Sequence, residues 1–242
     1  MKISVVIPAY NEEKRIDKTL SVITAYFKTG KTENEIIVVD DGSTDNTVNV
    51  VKQHIISNPD IRLLLNNKNC GKGYSVRNGV LNSTGDPVLF MDADLSTPIE
   101  ELEKLKPYFQ QGYDIVFGSR GLKESEIKVK QKWLRQNMGK TFNKLLQFIL
   151  VPGINDTQCG FKLFTRNSIN LVFPYLLLNG FSFDAELAFI AVKRGLKIRE
   201  VPVQWINSFD SKVHIIKDSL LMFMDLFRIR LNFLLNKYKV KE

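Results

Sequence analysis

Short apolar runs alternating with helix-length amphipathic stretches constrain this chain more than any other feature. Ile3-Ser4-Val5-Val6-Ile7-Pro8 ends in proline and Glu35-Ile36-Ile37-Val38-Val39-Asp40 ends in a carboxylate, so both read as buried strands. Between them, Glu12 to Phe27 places Ile16, Leu20, Ile23 and Phe27 at a three-to-four spacing, which gives a helix with one apolar face. The alternation predicts helices over Thr47–Ile56, Gly73–Leu81 and Ile99–Phe109, and strands over Ile61–Leu65, Val88–Met91 and Asp114–Gly118. Such an order implies one α/β body, a mostly parallel central sheet with flanking helices.

Beyond residue 121 the alternation fails. A basic, helical segment is predicted up to Val151, before Pro152-Gly153. A polar loop over Asp156–Phe164, a helix over Phe183–Arg194 and a strand over Ile198–Trp205 follow. The formal net charge is +8, and residues 120–144 and 193–242 each carry +6, leaving −4 for the remainder. That polarity suits an anionic partner: a membrane surface, a phosphorylated substrate or a nucleic acid. The interleaved basic and aromatic pattern of a nucleic-acid surface is missing, so nucleic acid is not expected.

The chain is expected to divide into a catalytic body, 1–212, and a basic amphipathic helix, 213–242. Val213–Leu235 is apolar but interrupted by Lys217, Asp218, Asp225, Arg228 and Arg230, too often for a bilayer span. His214, Asp218, Asp225, Arg228 and Asn232 trace one polar stripe on it. The helix is therefore expected to lie on a membrane, on the body or on a second copy in a homo-oligomer. Cys70 and Cys159 form neither a metal cluster nor a disulfide framework, and the N-terminus has no leader pattern, so a cytoplasmic location is expected.

In open α/β sheets, ligands bind beyond the carboxyl ends of the strands. Tyr10-Asn11-Glu12, Asp40-Asp41, Asn69 to Gly73, Asp92-Ala93-Asp94 and Ser119-Arg120 each follow a predicted strand. Asp92 and Asp94 flank one small residue and can hold Mg2+ or Mn2+, whose open positions bridging phosphate oxygens would fill. The bland alternative is that they cap the next helix. Lys72, between Gly71 and Gly73 at a helix start, can reach an anion.

Three of these motifs, Pro8-Ala9-Tyr10-Asn11-Glu12, Val38-Val39-Asp40-Asp41-Gly42-Ser43-Thr44-Asp45 and Met91-Asp92-Ala93-Asp94, closely resemble those of the inverting family 2 glycosyltransferases. The resemblance implies a GT-A fold, with Pro8, Tyr10, Glu12, Asp40 and Asp41 around the donor nucleotide. It also puts Lys72 on the donor and a metal at Asp92-Ala93-Asp94. Phe117-Gly118-Ser119-Arg120, Asp156 to Phe164, Phe183-Asp184-Ala185-Glu186, Glu200 to Trp205 and Ser211-Lys212 resemble the polyprenyl-phosphate sugar transferases, the dolichyl-phosphate glucosyltransferase-like ones above all.

This second likeness implies hexose transfer from a nucleotide sugar to a polyprenyl or dolichyl phosphate. UDP-glucose is the leading donor and GDP-mannose the next. Arg120 and Arg135 are then the expected ligands of the acceptor phosphate, with Lys162 and Lys212 helping to hold pyrophosphate or acceptor. Asp94, Asp184 and Asp156 are the catalytic candidates. An ionised phosphate acceptor needs little or no general base. Two departures stand out: Asp210 replaces an expected glycine, and Ser96 stands where the mannosyltransferases usually have glutamine. The enzyme is expected on the cytoplasmic face of a membrane as a peripheral protein. Two readings of other classes compete: an aspartate-nucleophile phosphatase built on Asp92, and a non-catalytic lipid- or nucleotide-binding module. The phosphatase motif normally opens the first strand, whereas three β-α units precede it here.

Overall fold

The structure, a computed structural model, describes residues 2–128, 143–206 and 215–239, with the side chains of 215–218 left aside. Arg135 and Lys212 lie outside the described residues.

The first half folds as the periodicity predicts. Strands β1 (Ile3–Ala9), β2 (Asn34–Asp40), β3 (Ile61–Leu65) and β4 (Val88–Met91) alternate with helices α1 (Ile16–Gly30), α2 (Thr47–Ser57) and α3 (Lys72–Leu81). β1 pairs in parallel with β2 and β4, and β2 with β3. Successive residues of β1 face opposite layers: Val6 joins the core that contains Ile37, Val39, Val76 and Phe90, whereas Val5 and Ile7 join Ile16, Leu20, Ile23 and Val38 on the other side.

The expected single helix over 99–109 is instead a short turn of 3₁₀ helix, Ile99–Glu101, followed by α4 (Leu102–Leu105) and α5 (Pro107–Gln110). Pro107 has no N–H to continue the ladder, so the helix restarts on it. Then come β5 (Ile115–Ser119), the two-residue β6 (Glu126–Ile127) and helical residues 143–149 (α6).

The segment expected as a polar loop up to Phe164 contains a strand, β7 (Phe161–Phe164), which inserts antiparallel between β4 and β5. The sheet order is β3-β2-β1-β4-β7-β5, with β8 (Ile198–Pro202) at the far edge, parallel to β5. A charged residue in the middle of a four-residue strand hid it from the periodicity: Lys162 is fully buried. α7 (Arg166–Val172), capped by the Thr165 hydroxyl, was also not anticipated. α8 spans Phe183–Lys193, and the expected last strand divides at Val203 into β8 and β9 (Gln204–Trp205), the latter pairing with β6.

The terminal helix α9 (Ile215–Leu234) packs on the body, sharing the core through Leu226, Ile229 and, just beyond it, Tyr238. Glu186, buried in α8, accepts the Tyr238 hydroxyl at 2.7 Å and the N–H groups of Leu177 and Leu178. The polar stripe expected here is not the solvent face throughout. Asn232 turns inward and donates to the Tyr238 hydroxyl at 3.4 Å. Leu220, Met224, Phe227, Leu231 and Leu234 are exposed instead. No described helix is long and apolar enough to cross a membrane.

Candidate active site

The parallel strands deliver their carboxyl ends to one edge. β7, being antiparallel, delivers its beginning there, so the loops after β1, β2, β3, β4 and β5 meet the turn at Gly160 and the start of α8.

Pro8 sits in β1 opposite Val39, and half-exposed Tyr10 follows the strand. The Glu12 carboxylate takes Arg15 at 2.6 Å and its backbone N–H donates to the Thr47 hydroxyl. Asp40 and Asp41 are both buried but differ in what they hold. Asp40 Oδ2 accepts the N–H groups of Gly42 and Ser43, closing the turn, while its Oδ1 is buried without a protein partner among the described residues. Asp41 fastens the next loop: Oδ1 accepts Asn66 Nδ2 at 2.8 Å and the Cys70 N–H, and Oδ2 accepts the Gly71 N–H.

Gly71, at φ +102°, is the turn into α3, and a Cβ there would strike the backbone of Asn179. The Asn179 carbonyl in turn accepts the N–H groups of Gly73 and Tyr74. Lys72 is thereby delivered from a loop tied down on both sides. Its ammonium lies 2.7 Å from Asp92 Oδ1 and 5.4 Å from the centre of the Phe90 ring. Burial pushes the Lys72 pKa down, but Asp92, Asp184 and Asp94 outweigh it and hold it above the ordinary value.

Asp92 donates its N–H to the Gly160 carbonyl at 3.0 Å. The Ala93 carbonyl accepts the Thr19 hydroxyl at 2.7 Å, and Asp94 Oδ1 accepts the Ser96 N–H at 2.9 Å. Leu95, between them, has φ +53°, a strained value for a leucine that turns the chain away just after the second carboxylate. Asp92 and Asp94 are oxygen donors of the kind a hard divalent cation takes, and an ammonium already lies against one of them. No third His, Cys, Asp or Glu completes a cluster among the described residues. The set fits Mg2+ or Mn2+, which keeps positions for phosphate oxygens, and not a cation that needs a full protein cage.

Two residues differ from the roles expected of them. Lys162, expected on the acceptor or pyrophosphate, is wholly buried. Its ammonium lies between the rings of Phe90 and Phe117, 2.6 Å from Asp184 Oδ1 and 2.5 Å from the Cys159 carbonyl. It serves Asp184, which meets it from the first turn of α8. Asp156, a candidate base, has every acceptor position filled. Oδ2 takes the Arg120 N–H and Nε, and Oδ1 takes Arg120 Nη2 and the Gln158 N–H. Burial would raise its pKa, but the Arg120 guanidinium holds it below the ordinary value, so it is a poor proton acceptor. Arg120 is consequently half of an ion pair, half-buried, and stands 5.4 Å from the Trp205 ring.

Asp184 is nearly fully buried on the first turn of α8, where burial raises its pKa against the pull of Lys162 and Lys72. Its Oδ1 is already taken by the Lys162 ammonium at 2.6 Å. Glu200 had no expected role: it accepts the N–H groups of Asn155 and Asp156 and the Ser119 hydroxyl, and so sets Asp156 in place. A carboxylate within a strand, between Arg199 and Val201-Pro202, was its sequence signal.

The family model Glycosyl transferase family 2 matches residues 4–173. A dolichyl-phosphate beta-glucosyltransferase of Trichomonas vaginalis is 41% identical over 98% of this chain and 73% of its own length. One of Dictyostelium discoideum is 37% identical over 99% and 77%. Among solved structures, the glucosyl-3-phosphoglycerate synthase of Mycobacterium tuberculosis in complex with Mn2+, UDP and phosphoglyceric acid superposes with a TM-score of 0.70 at 20% identity. That match covers 100% of this chain and 80% of the other, and it shows the shared GT-A fold. Matched by the family model over most of its length and by relatives over nearly all of it, the chain belongs to glycosyl transferase family 2 and is a glycosyltransferase.

Proposed function

We propose that this enzyme transfers glucose, with inversion, from UDP-glucose to a dolichyl or other polyprenyl phosphate at a membrane surface. The observation that carries the reading is the near-full-length likeness to dolichyl-phosphate beta-glucosyltransferases. The cations Lys72 and Arg120 and the carboxylates Asp92 and Asp94, all beyond the carboxyl ends of the strands, support it.

Pro8, Tyr10, Glu12, Asp40 and Asp41 bound the nucleoside pocket. The unpartnered Oδ1 of Asp40 is an acceptor that a base N–H would satisfy. Asp92 and Asp94 would hold Mg2+ or Mn2+, which when bound neutralises the diphosphate leaving group. Lys72 adds a cation on the same side. Arg120, with Nη1 not hydrogen-bonded among the described residues, meets the acceptor phosphate, and Asp156 fixes its guanidinium plane. Arg135 and Lys212 are proposed as further acceptor cations. A phosphate oxygen is already a nucleophile, so no residue has to remove its proton. Asp184, with Lys162 as its counter-ion, sets the charge beneath the reacting centre.

The membrane role rests on α9, whose exposed Leu220, Met224, Phe227, Leu231 and Leu234 recur every three or four residues, with Arg228 and Arg230 also exposed. A peripheral protein on the cytoplasmic face is the location that follows.

Transfer of labelled glucose from UDP-glucose to dolichyl phosphate in detergent, with Mn2+ and with EDTA, tests the reading. Transfer that needs the cation is expected, and GDP-mannose should give none. Failure with every nucleotide sugar by folded protein would overturn it. Transfer from GDP-mannose alone would convert it to a mannosyltransferase.

A further inference from the structure

Lys72 occupies a position that the proposed reaction requires for something else. Its ammonium lies 2.7 Å from Asp92 Oδ1, an oxygen that a divalent cation at the Asp92–Asp94 pair would take. An ammonium and a divalent cation repel each other at that separation, so each weakens the other's hold on that carboxylate. We infer that Lys72 competes with the divalent cation for Asp92, so that cation and nucleoside diphosphate load together: the diphosphate draws the ammonium off Asp92, and the cation takes the carboxylate so released.

Three observations support this, and all rest on the metal reading proposed above. The protein's donor set is thin. Among the described residues no third cluster member joins Asp92 and Asp94, and Asp94 Oδ1 already accepts the Ser96 N–H. A cation arriving alone would find few ligands and a resident ammonium. The backbone around Lys72 is also fixed on both sides, by Asp41 through Cys70 and Gly71, and by Asn179 through Gly73 and Tyr74. What can move is the four-carbon stem, with its rotatable bonds and compact charge. Finally, the Lys72 and Asp92 side chains keep 22% and 32% of their surfaces exposed, so the pair can be parted by a ligand without opening the core.

Titration of the full-length protein with Mn2+, read from the electron paramagnetic resonance signal of free aqueous Mn2+ with and without UDP, tests the competition. The wild type should retain Mn2+ weakly alone and at least about tenfold more tightly with saturating UDP. Lys72→Met, which keeps the stem and removes the charge, should tighten Mn2+ binding without UDP by about fivefold. It should also shrink the UDP effect, and Lys72→Gln should do the same. Asp92→Asn in the Lys72→Met background should erase the gain. If folded Lys72→Met and Lys72→Gln bind Mn2+ alone no better than wild type, while UDP still recruits Mn2+, the competition is wrong and the metal site stands. If neither wild type nor variants retain Mn2+ even with UDP, the metal site falls and the competition with it.

Discussion

Asp92 folds its carboxylate over the bare Cα of Gly160 while donating its N–H to the Gly160 carbonyl at 3.0 Å; a Cβ at Gly160 would overlap all three atoms of that carboxylate. The orientation of the proposed metal ligand is therefore set by the absence of a side chain one strand away. Gly160→Ala should displace Asp92, lower metal-dependent transfer by at least about tenfold and raise the Mn2+ concentration needed. The stability cost should stay within about 1–3 kcal/mol, typical of an added methyl in a tight place. Unchanged Mn2+ dependence would show that Asp92 tolerates the shift.

Arg120 and Asp156 form a two-pronged pair, with Nε to Oδ2 at 2.7 Å and Nη2 to Oδ1 at 2.9 Å. Asp156→Ala should leave a poorly compensated guanidinium beside a buried cavity and cost about 3 kcal/mol, read as a drop in Tm. Arg120→Ala should raise KM for polyprenyl phosphate well beyond any change for UDP-glucose. Arg120→Lys should not rescue it, since an ammonium cannot hold both Asp156 oxygens and a phosphate. Equal rises in both KM values would remove Arg120 from the acceptor site.

The Lys162–Asp184 pair lies in the core, with Lys162 fully buried. Lys162→Met should destabilise the fold by about 3–5 kcal/mol by leaving Asp184 without its counter-ion, and adding Asp184→Leu should restore most of that. Transfer should remain lost in the double variant, because the charge facing Lys72 is gone. A single variant as stable as wild type would mean that Asp184 is neutral in the fold.

What was legible in the sequence follows from where periodicity and chemistry agree. β1, β2, β4 and α1 could be read because each buries an apolar run or face, and the loops after the strands because their clustered polar residues break that apolar pattern. β7 could not, since Lys162 in a strand is tolerated only by a carboxylate more than twenty residues later in the chain. The same non-local pairing explains why Arg120 and Asp156 read as separate candidates when they are one unit. The inward turn of Asn232 depended on Tyr238, which no helical wheel of α9 includes.

At the opposite edge of the sheet from the site, buried Glu35 takes the Ser4 hydroxyl at 2.5 Å, the Thr84 N–H and hydroxyl, and Arg62 Nη1 at 3.1 Å. Burial alone would raise its pKa, but these donors outweigh it and pull it down to about 2 from 4.5. A depressed carboxylate contributes stability that is complete above about 4.5 and is lost as pH falls from there through 2. Denaturation followed from pH 6 to 2 should show that loss. Glu35→Gln should be less stable at pH 6 by about 2 kcal/mol and flatter across the window. Parallel curves for the two proteins would assign the acid sensitivity to other groups.

Removing α9 would not isolate its membrane role, because Leu226, Ile229 and Tyr238 are buried in the body and each apolar side chain so buried contributes about 1.5–3 kcal/mol. The outer stripe can be altered alone. Leu220, Phe227 and Leu231 are 60%, 54% and 54% exposed, so Leu220→Ser, Phe227→Ser and Leu231→Ser together should leave Tm nearly unchanged. Flotation with anionic phospholipid vesicles should fall by at least about tenfold, since each lost apolar contact with the acyl boundary weakens binding. Transfer to long-chain polyprenyl phosphate in vesicles should fall with it, while transfer to a short, detergent-soluble polyprenyl phosphate should not. Flotation that survives all three changes would move the membrane contact away from this helix, leaving the exposed stripe to be covered by another protein surface.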